Sequence, residues 1–472
     1  MRNRLAATIV ILLIPQLAWA GGQEIPDNGA QALSRGGAFT AKADDLTALQ
    51  YNVAGLAWVR GTRLLVSANI INASADFQRA GTYPPNGQPW DNQPFPKVSN
   101  SGGPFFAPML LAASDFGTRA WTFAAGVYGP SAYGSAKFPT TVRLNGANAP
   151  APQRYDFLEH ELLVAYPTAA VAFRPWQFLS VGAAFHWVYS SLKFHQITYL
   201  TAARSGDENP DWDYDVHLDV SDGFEPSASA GALLAPNEHW QLGVNWRYST
   251  DIDASGTATA STGPNPPEKP KPMYDNGQYA VVSSFRTGLP MIVRAGGRYI
   301  FRRGAFEAGD LELDFVWENW SAKVQDIQIK TTGVSPQPAL ILSPHRYNDS
   351  YSVRLGGAYN FESPNGLWSL RAGSYYDSAA APDEWTRLDF RAWDHLGFTA
   401  GLGWQAHGLS ANLGAAYVYM PDRTVTNSLL RQTHTLGGSI SDPSYTVVGN
   451  GTYSASYVIL TFGLEYKFDP FR

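Results

Sequence analysis

The sequence predicts an all-β protein, a transmembrane antiparallel β-barrel of about 14 strands with an N-terminal hatch plugging the lumen. Three observations carry that prediction. From about Thr62 onward, apolar residues alternate with small or polar ones at a period of two, the pattern of strands whose two faces meet different media. After residue 20 there is no run of 18 uninterrupted apolar residues, so no spanning helix is available. Short and long connections alternate along the chain. A chain that crosses a bilayer with strands must close them on themselves, because an open edge leaves backbone N–H and C=O groups unpaired in hydrocarbon.

Arg2 and Arg4 precede an apolar stretch from Leu5 to Leu17, and Ala18-Trp19-Ala20 follows. This three-part layout reads as a cleaved signal peptide over residues 1–20, with Gly21 as the mature N-terminus. About 13 apolar residues fall short of the ~20 that a spanning helix needs. With 44% hydrophobic, 13% aromatic and 16% charged residues over 472 positions, charge is low and aromatic content high for soluble domains. Without Arg2 and Arg4 the formal charge moves from -6 to -8, 32 basic residues against 40 acidic, and no basic cluster stands out. A nucleic-acid partner is therefore not expected. The chain has no cysteine to carry a lipid anchor.

Trp240, Leu242, Val244, Trp246 and Tyr248 alternate with Gln241, Gly243, Asn245 and Arg247, and the repeat returns from Val458 to Phe468. A soluble sandwich would turn a charged face outward, whereas here the second face is small and Gly-rich. Candidate strands lie near 62–79, 104–115, 120–128, 157–174, 177–200, 212–235, 238–260, 280–301, 306–331, 346–362, 366–377, 394–405, 408–421 and 453–468. Tight turns are expected at Gly117-Thr118, Pro175-Trp176, Pro236-Asn237, Arg303-Gly304, Pro364-Asn365 and His407-Gly408, with long loops such as 80–103, 129–156, 261–279 and 421–452 between them. That asymmetry matches short periplasmic turns and long extracellular loops. Trp187, Trp246, Trp317, Tyr359, Trp404, Tyr417 and Phe468 fall toward strand ends, where interfacial girdles belong.

Residues 21–58 do not alternate. Leu33, Phe39, Leu46, Leu49, Tyr51, Leu56 and Trp58 give this segment more apolar content than a solvated tail needs, so it is expected to fold inside the barrel formed by residues 59–472.

The run from Asn28 to Phe39, then Ala43-Asp44-Asp45, then Tyr51-Asn52-Val53-Ala54-Gly55-Leu56, resembles the N-terminal hatch of the FadL and toluene-transporter family. The resemblance extends to Gly126 through Pro130, Leu289-Pro290, Gly296 through Tyr299, Asp314 through Ser321, Arg354 through Tyr359, Leu370 through Gly373, and the last strand. It implies a fourteen-stranded, hatch-plugged barrel for passive, selective uptake of hydrophobic small molecules, either long-chain fatty acids or hydrocarbons, with lateral exit where the third strand kinks. Gly126, Gly129 and Pro130 stand at that kink, and Asn52, Val53, Ala54 and Gly55 at the hatch gate. Val53 departs from the family's usual proline and restores an N–H that needs a partner. Phe138, Leu144, Phe157 and Leu158 are candidates for a ligand groove, with plain loop packing the equal alternative. Thr461, Gly463, Tyr466 and Phe468 resemble the assembly signature of outer-membrane proteins, with Asp469–Arg472 a short periplasmic end.

If the aromatic face points to lipid, Arg294, Arg298, Glu312, Asp314, Glu318, Arg354 and Arg371 point inward. Charges out of water demand partners. They are expected to pair across strands and to dock the hatch through Arg35, Lys42, Asp44 or Asp45; the alternative is a charge relay or a fatty-acid carboxylate site. Enzyme signatures are missing: Glu159-His160-Glu161 is no helical zinc motif, and no nucleophile elbow, P-loop or dinucleotide fingerprint occurs. His160, His186 and His195 read as lone lumenal or loop residues. No catalytic residue, metal or cofactor is expected. The rival readings are a general porin for polar solutes, which needs a wide wet lumen, and an adhesin or receptor built on the long loops. The partners expected are a hydrophobic ligand, outer-membrane lipid and lipopolysaccharide, and the barrel assembly machinery, for a monomer in the outer membrane of a Gram-negative bacterium.

Overall fold

A computed structural model describes residues 28–118, 120–129, 134–199, 206–262, 280–332, 339–432 and 445–468. The expected signal peptide, Pro130 and Asp469–Arg472 lie outside the described residues. Fourteen strands run around the wall: β1 (Thr62–Arg79), β2 (Phe105–Ser114), β3 (Trp121–Tyr128, resumed at Gly134–Lys137), β4 (Glu159–Trp176), β5 (Leu179–Tyr199), β6 (Asp213–Leu234), β7 (Trp240–Arg247 and Thr250–Thr262), β8 (Ala280–Leu289 and Ile292–Arg303), β9 (Phe306–Glu318 and Asp326–Thr332), β10 (Ala339–Pro344 and Ser350–Ser363), β11 (Gly366–Asp377), β12 (His395–Ala406), β13 (Leu409–Val425) and β14 (Gly451–Phe468). All pairings are antiparallel. β1 lies against β14 along its whole length, from Thr62 opposite Phe468 to Arg79 opposite Gly451, and this pairing closes the barrel.

Side chains are inverted relative to a soluble protein. On β9, Leu311, Leu313 and Phe315 are exposed while Asp310, Glu312 and Asp314 between them are buried. Exposed Trp187, Trp246, Tyr359, Tyr417 and Phe468 populate the outer surface. This is the face a bilayer would wet, with polar groups turned to the lumen. No described helix is long and apolar enough to cross a membrane.

Two expectations change. Pro175 and Trp176 belong to the end of β4, and the chain turns at Gln177-Phe178 instead. Strands β7 to β9, expected continuous, each break once, and β10, expected from residue 346, is preceded by a separate segment at Ala339–Pro344. In β8 the break follows from Pro290, which has no N–H for the ladder. In β9 it is a helical turn at Trp320–Ala322, where the buried Trp320 indole donates to Glu318 at 2.7 Å. Trp320, Val324, Tyr347, Ala380, Ala381 and Ala392 pack together at the breaks in β9 and β10, so these two interruptions seat an extracellular loop.

Helices α1 (Ala30–Leu33) and α2 (Ala48–Tyr51), followed by a 3-10 turn at Val53–Trp58, fill the bore. Leu46, Leu49, Val53 and Leu56 join one apolar cluster with the inward residues Leu65, Met109 and Leu111 of the wall. The wall admits hatch backbone because it is glycine where the two meet. A Cβ at Gly356 or Gly373 would run into the Arg35 carbonyl, and one at Gly243 would strike the Thr40 carbonyl. Gly243→Val is therefore expected to lift the hatch off β7 and raise ion conductance in planar bilayers, while the unboiled protein keeps its compact gel mobility. Unchanged conductance would mean that this glycine does not seat the hatch.

Candidate functional site: hatch dock, cavity and wall break

The hatch is held by charge on one side. Arg35, fully buried, reaches Asp310 at 2.5 Å and Glu312 at 3.2 Å. Burial opposes its charge, but Asp310 and Glu312 outweigh that and hold the guanidinium above its ordinary pKa. The backbone N–H groups of Phe39 and Thr40 donate to Asp314 at 3.0 and 2.9 Å, and those of Ala41 and Lys42 donate to Glu312 at 2.6 and 3.2 Å. Arg354 donates to the Gly36 carbonyl at 3.1 Å and to Asp377 at 2.9 Å. Arg371 donates to Gln31 at 2.9 Å and Asn412 at 2.7 Å. Arg294 lies over the Tyr51 ring, 5.5 Å from its centroid.

All seven sequence-predicted lumen charges are buried. Glu312, Asp314, Arg354, Arg371 and Arg294 touch the hatch, whereas Arg298 pairs with Asp310 and Glu307 and Glu318 accepts from Trp320 and Ser350. Lys42 pairs with Asp44 at 2.8 Å, and Gln31 donates to Asp44 and Asp45. Asp310, Glu307 and Asp377 were missed. Asp310 could have been found, since it continues the two-residue alternation of Glu312 and Asp314.

At the gate, the Asn52 side chain accepts from Ala54 N–H at 3.2 Å and donates to the carbonyls of Thr40 and Ala232 at 2.9 and 3.1 Å. The Val53 N–H, which a proline would lack, donates to Asn245 on β7 at 3.3 Å. Gly55 packs where a Cβ would hit the Ala43 carbonyl.

β3 is described in two segments, on either side of residues 130–133. Its inner half pairs with β2 from Leu110 to Ser114, and its resumed segment Gly134–Lys137 pairs with β4. Among the described residues, Phe105–Met109 of β2 pair with β1 but with no part of β3. Gly129 sits just past the last paired residue, and its carbonyl accepts from the hatch residue Asn28. Gly126 lies inside the regular ladder, opposite Leu111 and Thr168.

Between hatch and extracellular loops lies a small apolar cavity of about 40 Å³, lined chiefly by Leu162, Val164, Leu192, Ile252, Phe285 and Ile327, together with Phe390. Its roof is locked by ion pairs. Arg387 donates to Asp156 at 3.0 Å, the Leu388 N–H donates to the same carboxylate at 2.9 Å, and His345 meets Asp389 at 3.0 Å. Burial pushes the Asp156 carboxyl up to about 6, with Arg387 pulling it down and Asp389 adding to the rise. Phe138, Phe157 and Leu158 are buried in this roof; Phe157 meets Phe138 and Phe194 ring to ring at 6.0 and 5.8 Å. Leu144 lies on a small hairpin packed against a cluster of Tyr83, Trp90 and Phe95.

A family model described as outer membrane protein transport protein (OMPP1/FadL/TodX) matches residues 11–468. The chain belongs to this family. Among solved structures, a FadL homologue of Pseudomonas aeruginosa is 16% identical with a TM-score of 0.73, over 95% of this chain and 100% of that one. The toluene transporter TbuX of Ralstonia pickettii is 15% identical with a TM-score of 0.63, over 94% of this chain and 99% of that one. The toluene transporter TodX of Pseudomonas putida is 16% identical with a TM-score of 0.62, over the same shares of the two chains, 94% and 99%. No curated protein matches the chain.

In this FadL-family protein the bore is barred twice, by the hatch below the cavity and by the roof above it. Arg387→Ala would leave Asp156 and Asp389 buried without their cation, a change that costs about 3–5 kcal/mol when a buried pair is broken. The expected result is faster limited proteolysis within residues 378–394, with the barrel still compact on unboiled gels. Unaltered cleavage there would show that the roof is held by its apolar contacts alone.

Proposed function

We propose that this outer-membrane protein takes up hydrophobic small molecules passively and selectively, holding them in the cavity between roof and hatch. The observation that carries this reading is the lining itself: among the described lining residues no side chain is charged, and most are aliphatic or aromatic. Such a site gains from apolar burial and offers nothing to a polar solute. It recognises the apolar body of a ligand, so a fatty-acid carboxylate would have to stay outside the lining. The names of TbuX and TodX as toluene transporters point the same way.

In this reading ligand arrives by opening of the roof and leaves sideways beside Gly129 of β3, which the hatch guards through Asn28. Residues 1–20 are the cleaved leader, 21–58 the hatch and 59–472 the barrel. The final strand, through Thr461, Gly463, Tyr466 and Phe468, is the segment offered to the barrel assembly machinery, and the protein acts as a monomer among lipid and lipopolysaccharide. No catalytic step is proposed.

Partition of labelled toluene, a longer alkane and a long-chain fatty acid into proteoliposomes tests the reading. Faster equilibration than in empty liposomes is expected, together with low ion conductance. Deleting residues 21–58 from the mature protein should raise conductance sharply, because nothing else described fills the bore at that level. Equal conductance with and without the hatch, or free passage of small sugars, would favour the porin instead. Gly129→Val is the cleaner probe of exit, since a Cβ at Gly126 would also collide with the β2 backbone. It should slow ligand delivery several-fold and leave assembly intact; unchanged rates would place the exit through the lumen.

A further inference from the structure

The pairing of β5 with β6 sets His195 directly opposite His217, beyond the apolar belt and toward the extracellular end. Their rings stack with centroids 3.9 Å apart and planes 15° from parallel. Both Nε2 atoms converge on one carboxylate oxygen, Asp215 Oδ1, at 2.6 Å from His195 and 3.1 Å from His217. Read singly, His195 is a lone histidine. Strand register alone brings in the other two, and Asp215 stands two residues before His217, so all three share the outward face.

We propose that His195, Asp215 and His217 form a binding site for a first-row divalent cation of the zinc class. Two imidazole nitrogens and one carboxylate oxygen are the donor set of open three-ligand zinc sites, with remaining positions left to water. The three donor atoms lie within 4.8 Å of one another. Zinc–ligand bonds of about 2.0–2.2 Å need donors slightly further apart than the closest pair here. Asp215 and His217 can supply that movement, because their side chains are 41% and 54% exposed. Glu159, Glu161 and Asp219 line the same depression, the first two paired with Lys137 at 2.7 Å and Lys193 at 3.5 Å. A bound ion would cross-link β5 to β6 outside the membrane, where no hydrocarbon supports the sheet. The donor chemistry selects against magnesium and calcium, which prefer all-oxygen ligands.

The test uses the full-length protein in detergent, stripped with chelator and carrying a tag without histidine. Calorimetric titration with zinc chloride should give one site per chain, and cobalt(II) should give the visible absorption of a nitrogen-containing, low-coordinate site. His195→Asn, His217→Asn and Asp215→Asn should each weaken zinc by at least about 10-fold, the lower end of losses seen even for second-shell changes. Compact unboiled mobility checks that each variant is folded. Absence of zinc binding, wild-type affinity in all three variants, or equal competition by calcium would each overturn the site. None of these outcomes bears on the transport reading, whose residues lie elsewhere in the barrel.

Discussion

The structure depends on a guanidinium with nowhere else to go. Arg35 has no solvent exposure and sits between two carboxylates of β9. Burying such ions costs several kcal/mol each, so the pairing does not make the barrel more stable than an apolar filling would. What it does is specify position. An apolar plug could slide or rotate against an apolar wall at little cost, whereas this one must bring Arg35 to Asp310 and Glu312 while four hatch N–H groups reach Glu312 and Asp314. Only one seating satisfies them all. The glycines at 356 and 373 serve the same seating by letting the Arg35 backbone touch the wall.

With the plug fixed, selectivity becomes a matter of which molecules tolerate two dry barriers. A hydrated ion meets the packed hatch, where closing the bore removes the water that would carry it. A hydrophobic molecule loses nothing on leaving water for the lining of Leu162, Val164, Phe285 and Ile327. The roof adds a barrier of another kind, because Phe138 and Phe157 pack with Leu388, next to the Arg387 that pairs with Asp156.

The wall was legible in the sequence because period-two alternation is local: each of β1 to β14 declares its lipid face within its own residues. The hatch was legible through composition and resemblance, and its docking through the inward charges of β8 to β11. What was not legible depends on contacts between distant segments. The breaks in β9 and β10 lie where a loop seats against Trp320 and Tyr347, and no local pattern announces that. Phe138 and Phe157 look like groove residues until the loop that carries Arg387 is laid over them. His217 acquires meaning only once β6 is in register with β5.

The distribution of the hatch's restraints is uneven, and that unevenness has a direction. Toward β8–β11 the hatch is held by buried ion pairs and charge-assisted bonds, each costly to break. Toward β7 it is held by the Val53–Asn245 hydrogen bond, and toward β3 by Asn28, whose backbone is clipped to the Tyr51 hydroxyl by two bonds of 3.0 Å. Neutral hydrogen bonds contribute only about 0.5–1.5 kcal/mol each. The neutral tethers at Asn28 gather on the side of Gly129, whose carbonyl accepts from the Asn28 amide. Valine at position 53 adds one neutral tether on the β7 side that proline would not supply.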